Sequence, residues 1–184
     1  YTADYRYTNG YRAHAGSDKN SFSGKWFYSP EDGKYKVGLI ARYSYAEALE
    51  PGYLTFAESR ANPTQSRPHN IADGGNRELG QLSGHFDVNL TDELSWSTKS
   101  YANIFNDQRW LRFSIKNRPQ ERLTNEVQYG AITSLTWRPK VDFLDDFSTE
   151  IGFDIQQQDN KSRRFALTEN SRLRTTTSRD QEFN

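Results

Sequence analysis

Apolar and polar residues alternate along most of this chain. Between residues 82 and 90, Leu82, Gly84, Phe86, Val88 and Leu90 share one parity, and the residues between them are all polar. A β-strand points successive side chains to opposite faces of a sheet. This segment is therefore predicted to be a strand with one apolar face and one polar face.

The same alternation predicts further strands. They are the start of residues 1–13, residues 22–28, 35–45, 94–104 with a continuation to Arg112, 127–137 and 147–155. Short connections are predicted at residues 30–33, 91–93 and 139–146, and longer polar ones at 14–20, 47–77, 116–123 and after Asp159. Short and long connections therefore alternate along the chain.

This alternation of connections is typical of outer-membrane barrels, which have short turns at one end and long loops at the other. Aromatic residues gather beside the short turns, as expected for a girdle at the membrane interface; they are Trp26, Tyr28, Tyr35, Trp96, Trp137 and Phe147. The sequence predicts an all-β protein, namely an antiparallel, up-and-down transmembrane β-barrel.

The composition fits a sheet with little interior. Apolar residues make up 34% of the 184 residues and the mean hydropathy is −0.97, yet aromatic residues reach 14%. Disordered chains lack aromatic residues, and a barrel around a hydrated lumen tolerates polar side chains inside. The sequence contains no run of eighteen apolar residues, so no transmembrane helix is predicted. A strand of a membrane barrel needs only about ten alternating residues. The alternative is a soluble antiparallel β-sandwich that acts as a binding module.

Charge and cysteine content exclude several functions. The net charge is zero, so nothing indicates a nucleic-acid partner. There is no cysteine, and the three histidines have no metal-ligand spacing, so neither a disulfide nor a metal site is predicted. No phosphate-binding loop or nucleophile motif is present, and we expect no enzymatic activity.

Apolar and polar residues do not alternate in residues 47–77, and this segment is predicted to be a structureless, functional loop. It carries the resemblance to a known family. Residues 45–55 (YAEALEPGYLT) are similar to the strand and "PG-x-LT" segment of ferric-siderophore receptors of the ferric-citrate type. Asn62-Pro63 resembles the Asx-Pro that follows it, and residues 77–83 (RELGQLS) resemble the return to a strand.

The chain thus resembles the early barrel of a TonB-dependent outer-membrane receptor. This resemblance implies a 22-stranded barrel with a plugged lumen, of which residues 1–184 would supply about seven or eight strands. We expect the plug and the remaining strands to lie outside this sequence. The implied location is the bacterial outer membrane, in contact with lipid and lipopolysaccharide.

The resemblance also implies uptake of a ferric siderophore, with energy supplied through the plug by TonB and an ExbB/ExbD-type inner-membrane complex. No cofactor is implied, because the iron arrives wrapped in its chelator. Other cargoes remain open, namely cobalamin, a carbohydrate or passive solutes.

Ligand-binding residues are expected at the loop end of the barrel. Arginine suits a carboxylate siderophore because its planar guanidinium binds carboxylates through two hydrogen bonds. The candidates are Arg60, Arg67 and Arg77 on the long loop, Arg109 and Arg112 at the end of the long strand, and Tyr53 and Trp110 as aromatic walls.

Overall fold

The computed structural model describes residues 1–141, 143, 146–168 and 172–183. These residues form one eight-stranded sheet, in which each strand pairs antiparallel with the next strand along the chain. The strands are β1 (Thr2–Thr8), β2 (Ser17–Tyr28), β3 (Tyr35–Leu49), β4 (Gly74–Asn89), β5 (Leu94–Leu111), β6 (Gln120–Trp137), β7 (Thr149–Leu167) and β8 (Arg172–Phe183). The predicted all-β, up-and-down antiparallel fold is confirmed. A β-sandwich needs two packed sheets, and the described strands form one.

The register divides the side chains into two faces, because directly paired residues point the same way. One row runs through Leu39, Gly84, Ser100, Ala131 and Ile155. We call the face that carries this row the apolar face. The neighbouring row on the other side runs through Ile40, Ser83, Tyr101, Gly130 and Gln156, and its side is called the polar face.

Hydrophobic residues on the apolar face occupy a band of limited height. On β5 the band runs from Leu94 to Ile104, which pair with Trp137 and Val127 of β6. Ten residues at about 3.3 Å each span about 33 Å along a strand. At the tilt of about 40° found in outer-membrane barrels, they would rise about 25 Å, which is the height of the lipid-facing band of such barrels.

Aromatic side chains flank this band. The predicted girdle beside the short turns is exposed, with Tyr28 58%, Trp96 40% and Trp137 48% accessible. A second set lies at the loop end of the same face, which the sequence analysis did not predict. There Tyr43 donates a hydrogen bond to Glu78 and Tyr129 donates one to Gln157. Amphipathic rings at both edges of the band are what a sheet crossing a bilayer requires.

The sheet has almost no interior. Among the described residues, the buried hydrophobic side chains are Leu111 and Ala166, each 7% exposed. Large hydrophobic residues on the apolar face are exposed instead, including Ile151 at 71% and Phe153 at 64%. Among the described residues, these side chains have no protein interior to pack against.

Two of the predicted short turns are present. The Gly33 amide donates to the Pro30 carbonyl at 3.0 Å, and Gly33 takes a φ of 64°. In the next turn, the Thr91 hydroxyl accepts bonds from the amides of Glu93 and Leu94. The predicted turn at residues 139–146 includes Asp142, Leu144 and Asp145, which lie outside the described residues.

Several predicted loops are shorter than expected because the strands run beyond the band. Residues 17–20 belong to β2, residues 120–123 belong to β6, and β7 continues past Asp159 to Leu167. The basic residues Arg172, Arg174 and Arg179, predicted to line a loop and the strands around it, belong to β8. Beyond the apolar band both faces of the sheet carry polar residues, so polar positions no longer alternate with apolar ones.

The segment predicted as structureless over residues 47–77 is also corrected. Only residues 50–73 lie between β3 and β4, and they contain the helix α1 (Phe56–Ala61) and a 3-10 helix (Pro68–Asn70). We call residues 50–73 the long loop. Among the described residues, no helix is long and apolar enough to cross a bilayer.

Candidate anion-binding site

Three arginines lie side by side on the polar face, where the strands extend beyond the apolar band. Arg109 of β5 pairs directly with Arg122 of β6, and Arg122 pairs with Arg164 of β7. Directly opposite residues have Cβ atoms about 5 Å apart, and like charges in such pairs are destabilising. We call Arg109, Arg122 and Arg164 the arginine row.

Glu50, the first residue of the long loop, neutralises one end of the row. Its carboxylate accepts three hydrogen bonds from Arg109, at 3.0 Å from Nε and at 2.7 and 2.8 Å from Nη2. The side chains remain 42% exposed for Arg109 and 37% for Glu50. This ion pair is therefore accessible from solvent.

Arg122 has no carboxylate partner among the described residues. Its Nε is buried without a hydrogen-bond partner, and its guanidinium lies 5.3 Å from the centre of the Phe113 ring. Two carboxylates of the polar face bind elsewhere, since Asp107 accepts from Arg77 and Glu126 accepts from Asn160. Asp73 of the long loop accepts from the neutral Asn70 amide at 2.7 Å. Among the described residues, Glu50 is therefore the one carboxylate that forms an ion pair with the arginine row.

A cavity of about 380 Å³ lies between the row and the long loop. This volume falls within the range of about 300–1,000 Å³ that is usual for small-molecule sites. The residues lining the cavity come from the long loop and from the β5–β6 hairpin, and they include Glu50, Pro51, Gly52, Tyr53, Asn70, Asp73, Arg109, Leu111, Arg112, Phe113 and Arg122. The cavity thus combines cationic groups with one aromatic wall from each segment.

Arg12 lies in the loop of residues 9–16, between β1 and β2. It holds the beginning of the long loop in place over this cavity. Its guanidinium donates to the carbonyls of Gly52 at 2.7 Å, Pro51 at 3.1 Å and Gln65 at 2.9 and 3.0 Å. The Ala13 amide adds a bond to the long loop. The two loops therefore form one hydrogen-bonded unit.

Asn70 and Asp73 fix the end of the long loop. They are 4% and 6% exposed, and the Asn70 amide donates to the Asp73 carboxylate at 2.7 Å and to the Arg112 carbonyl at 2.9 Å. The Asp73 carbonyl accepts from the Glu50 amide at 3.1 Å and contacts the His14 ring at 2.6 Å. These bonds place Glu50 beside Arg109.

The helix α1 is held by a capping box. The Thr55 hydroxyl accepts from the Glu58 amide, and the Glu58 carboxylate accepts from the Thr55 amide at 2.7 Å. Arg67 also donates three hydrogen bonds to Glu58. The bonds from Arg67, followed by those from Thr55, lower the pKa of Glu58 to about 2. Arg67 thus serves the loop structure.

The structure brings three of the predicted ligand-binding residues together. Arg109, Arg112 and Tyr53 line the cavity. The Arg112 guanidinium is bound to the carbonyls of Asn117 and Ile115, whereas Tyr53 is 80% exposed. Arg109 and Tyr53 are therefore the predicted residues best placed to meet a ligand.

The other predicted residues lie elsewhere. Arg67 binds Glu58, Arg77 binds Asp107, and Arg60 lies over the Phe56 ring at 5.1 Å. Trp110 pairs with Gly74 and Glu121 and lies on the apolar face. Arg109, its neighbour in the strand, lies on the polar face, so the two side chains point in opposite directions. Their role in binding stays a prediction, and the geometry does not place them at the cavity.

The sequence analysis missed Arg122, Glu50 and Arg12, and it placed Arg164 only among the basic residues near the end of the sequence that face lipid head groups or ligand. Arg122 fell inside a predicted loop, and its pairing with Arg109 follows only from the β5–β6 register. The residues Thr55 and Glu58, by contrast, form an S/T-x-x-E capping-box pattern that the sequence shows directly. Among the described residues, no group of three or more His, Cys, Asp or Glu side chains forms a potential metal site.

Comparison with known proteins identifies the fold. No protein-family model matches the sequence, and no curated protein matches it. The chain is similar to the crystal structure of the ferric citrate transporter FecA in the unliganded form, with a TM-score of 0.65 and 15% sequence identity over 92% of this chain. It spans 25% of the FecA chain. The sheet thus has the fold of part of a transmembrane β-barrel, and this structural neighbour is a transporter.

Proposed function

We propose that this chain is part of a bacterial outer-membrane receptor that captures an anionic ferric siderophore at the arginine row. The observation that carries the proposal is the unbalanced charge of Arg122 beside Arg109, on the polar face of a barrel sheet. The similarity to a ferric citrate transporter supports a carboxylate siderophore as the cargo.

In the proposed mechanism, a ligand carboxylate binds the guanidinium groups through paired, charge-assisted hydrogen bonds. The cavity already has its wall in place, because Arg12 and Asn70 fix the long loop before a ligand arrives. Such preorganisation lowers the entropic cost of binding. The bound ligand then passes through the plugged barrel with energy from TonB and its ExbB/ExbD-type complex.

The capture step is tested with the full-length protein in detergent. Ferric citrate is titrated by calorimetry against the wild type, Arg122→Gln and the control Arg138→Gln, whose arginine lies just beyond the opposite end of β6. A hydrogen bond to a charged group contributes about 1.5–3 kcal/mol, so Arg122→Gln is expected to weaken binding about 10- to 100-fold. Arg138→Gln is expected to leave the affinity unchanged.

The cargo class is tested by replacing the ligand. A neutral ferric hydroxamate and cobalamin are expected to bind at least tenfold more weakly than ferric citrate, since neither supplies carboxylates to the row. Equal binding of a neutral cargo, unaffected by Arg122→Gln, would contradict the proposal. Energy coupling is tested in cells: loss of TonB is expected to abolish iron uptake while surface binding persists.

A further inference from the structure

Glu50 occupies the position at Arg109 that an incoming carboxylate would take. We propose that Glu50 is a specificity-determining residue, which restricts the arginine row to ligands with at least two anionic groups. The inference rests on the proposed function, because it concerns which anions the same site accepts. It follows from the contacts of Glu50 and from the absence of such contacts at Arg122.

A ligand with one negative charge gains no binding free energy when its carboxylate replaces that of Glu50 at Arg109. Glu50 already makes three hydrogen bonds to Arg109, and a monocarboxylate can only replace them with equivalent bonds. Glu50 is also part of the same chain, so its effective concentration at Arg109 exceeds that of a dilute ligand. A monoanion therefore loses the competition at Arg109 and can bind only the single guanidinium of Arg122.

A ligand with two anionic groups gains what Glu50 cannot supply. One group replaces Glu50 at Arg109, and the second reaches the guanidinium of Arg122, which lines the same cavity and has no carboxylate partner among the described residues. Because the two arginines are directly paired on neighbouring strands, the ligand's anionic groups need a separation of only several ångströms. The new bonds to Arg122 decide the competition in favour of the polyanion.

The backbone around Glu50 is held by hydrogen bonds that do not depend on its side chain. The Glu50 amide is bound to the Asp73 carbonyl, and the next two carbonyls, of Pro51 and Gly52, accept bonds from Arg12. None of these bonds involves the Glu50 side chain. Its carboxylate can therefore leave Arg109 while the long loop stays in place.

The test compares two iron-free probes, citrate and acetate, on the full-length protein in detergent. Each probe competes against bound ferric citrate in the wild type and in Glu50→Gln, which keeps the side-chain shape and removes the charge. In the wild type, acetate is expected not to compete at concentrations at which citrate does. In Glu50→Gln, no carboxylate of the protein competes at Arg109, so both probes are expected to bind about tenfold more tightly, and acetate should compete at concentrations at which it fails in the wild type.

Glu58→Gln is the matched control, because it also breaks an Arg–Glu pair in the long loop but lies outside the arginine row. It is expected to leave the affinities for citrate and acetate unchanged. Glu50→Asp retains the charge on a shorter side chain and is expected to give intermediate affinities for both probes. It also provides a second variant should Glu50→Gln fail to fold.

The outcomes separate this inference from the proposed function. If the wild type binds polyanions through Arg122 but acetate still fails to compete in Glu50→Gln, or that variant loses citrate affinity, Glu50 merely positions Arg109 and the inference is overturned alone. If the wild type binds neither ferric citrate nor citrate, the proposed function and this inference are both overturned.

Discussion

Arg109 and Arg122 are directly opposed in the β5–β6 ladder, and among the described residues only Arg109 of the two has a carboxylate partner. The hairpin therefore holds two like charges together with a single negative charge from Glu50. In a sheet, such an arrangement weakens the strand pairing. The site is built at some expense of stability, as is common where groups are positioned for a ligand.

Replacement of Arg122 by leucine is expected to stabilise the ligand-free protein. The change removes the repulsion from Arg109 and Arg164, which is worth about 0.5 kcal/mol for directly opposite like charges. The midpoint of thermal unfolding in detergent should rise slightly for Arg122→Leu. Arg138→Leu removes a positive charge without such neighbours and should not raise it. A lower midpoint for Arg122→Leu would mean that Arg122 stabilises the hairpin through its packing on Phe113.

Replacement of Gly52 by alanine is expected to loosen the long loop. Gly52 has a φ of 67°, and a Cβ atom there would lie 2.3 Å from the Asn70 Oδ1. Gly33 has a similar φ of 64° with no atom within 4 Å of the added Cβ. Gly33→Ala should therefore lower the free energy of unfolding by about 1 kcal/mol, through backbone strain alone. Gly52→Ala should lower it by about 2–4 kcal/mol, because the clash with Asn70 adds to the backbone strain.

Hydrogen exchange measured by mass spectrometry checks this comparison. Gly52→Ala should speed exchange in peptides from residues 50–73, whereas Gly33→Ala should affect only the β2–β3 turn. Equal effects of the two substitutions would show that the contact with Asn70 is not tight.

The sequence predicts the hairpins well where the two faces of the sheet differ. The alternation around Phe86 and Val88 exists because one face is apolar and the other is polar. Beyond the apolar band this difference disappears, and strand residues such as Lys161 and Arg163 cannot be told from a polar loop. The ends of β6 and β7 were missed for this physical reason, and β8 could not be given bounds.

The candidate site was less predictable than the fold. Arg109 was identified from its position near the end of a strand, but its neighbour Arg122 follows only from the register across a hairpin. Arg12 contacts carbonyls at a separation of about forty to fifty residues, which the sequence does not reveal. By contrast, the Thr55–Glu58 capping box is local and was available from the sequence.

Acid is expected to weaken the α1 region of the long loop. Hydrogen bonds from Arg67 and Thr55 lower the pKa of Glu58 from 4.5 to about 2. Because this pKa is depressed in the folded state, the stabilisation is fully present above about pH 4.5 and is lost as the pH falls towards 2. Hydrogen exchange in residues 55–67, corrected for intrinsic rates, should therefore accelerate over this window.

Glu58→Gln should abolish that pH dependence and exchange faster at neutral pH. Glu31→Gln, in the opposite turn, should leave the dependence intact. An unchanged pH profile in Glu58→Gln would assign the acid effect to another group.

The assignment of the faces predicts opposite outcomes for two adjacent residues of β7. Ile155 is 60% exposed on the apolar face near the middle of the band, and Asp154 pairs with Ile132 on the polar face. If hydrocarbon covers the apolar face, Ile155→Arg should cost about 2–4 kcal/mol and reduce assembly in the outer membrane. Asp154→Arg, which points into the hydrated lumen, should assemble at wild-type levels. The amount of folded protein in outer-membrane fractions measures both variants. Equal assembly, or a greater loss for Asp154→Arg, would show that lipid does not cover the apolar face.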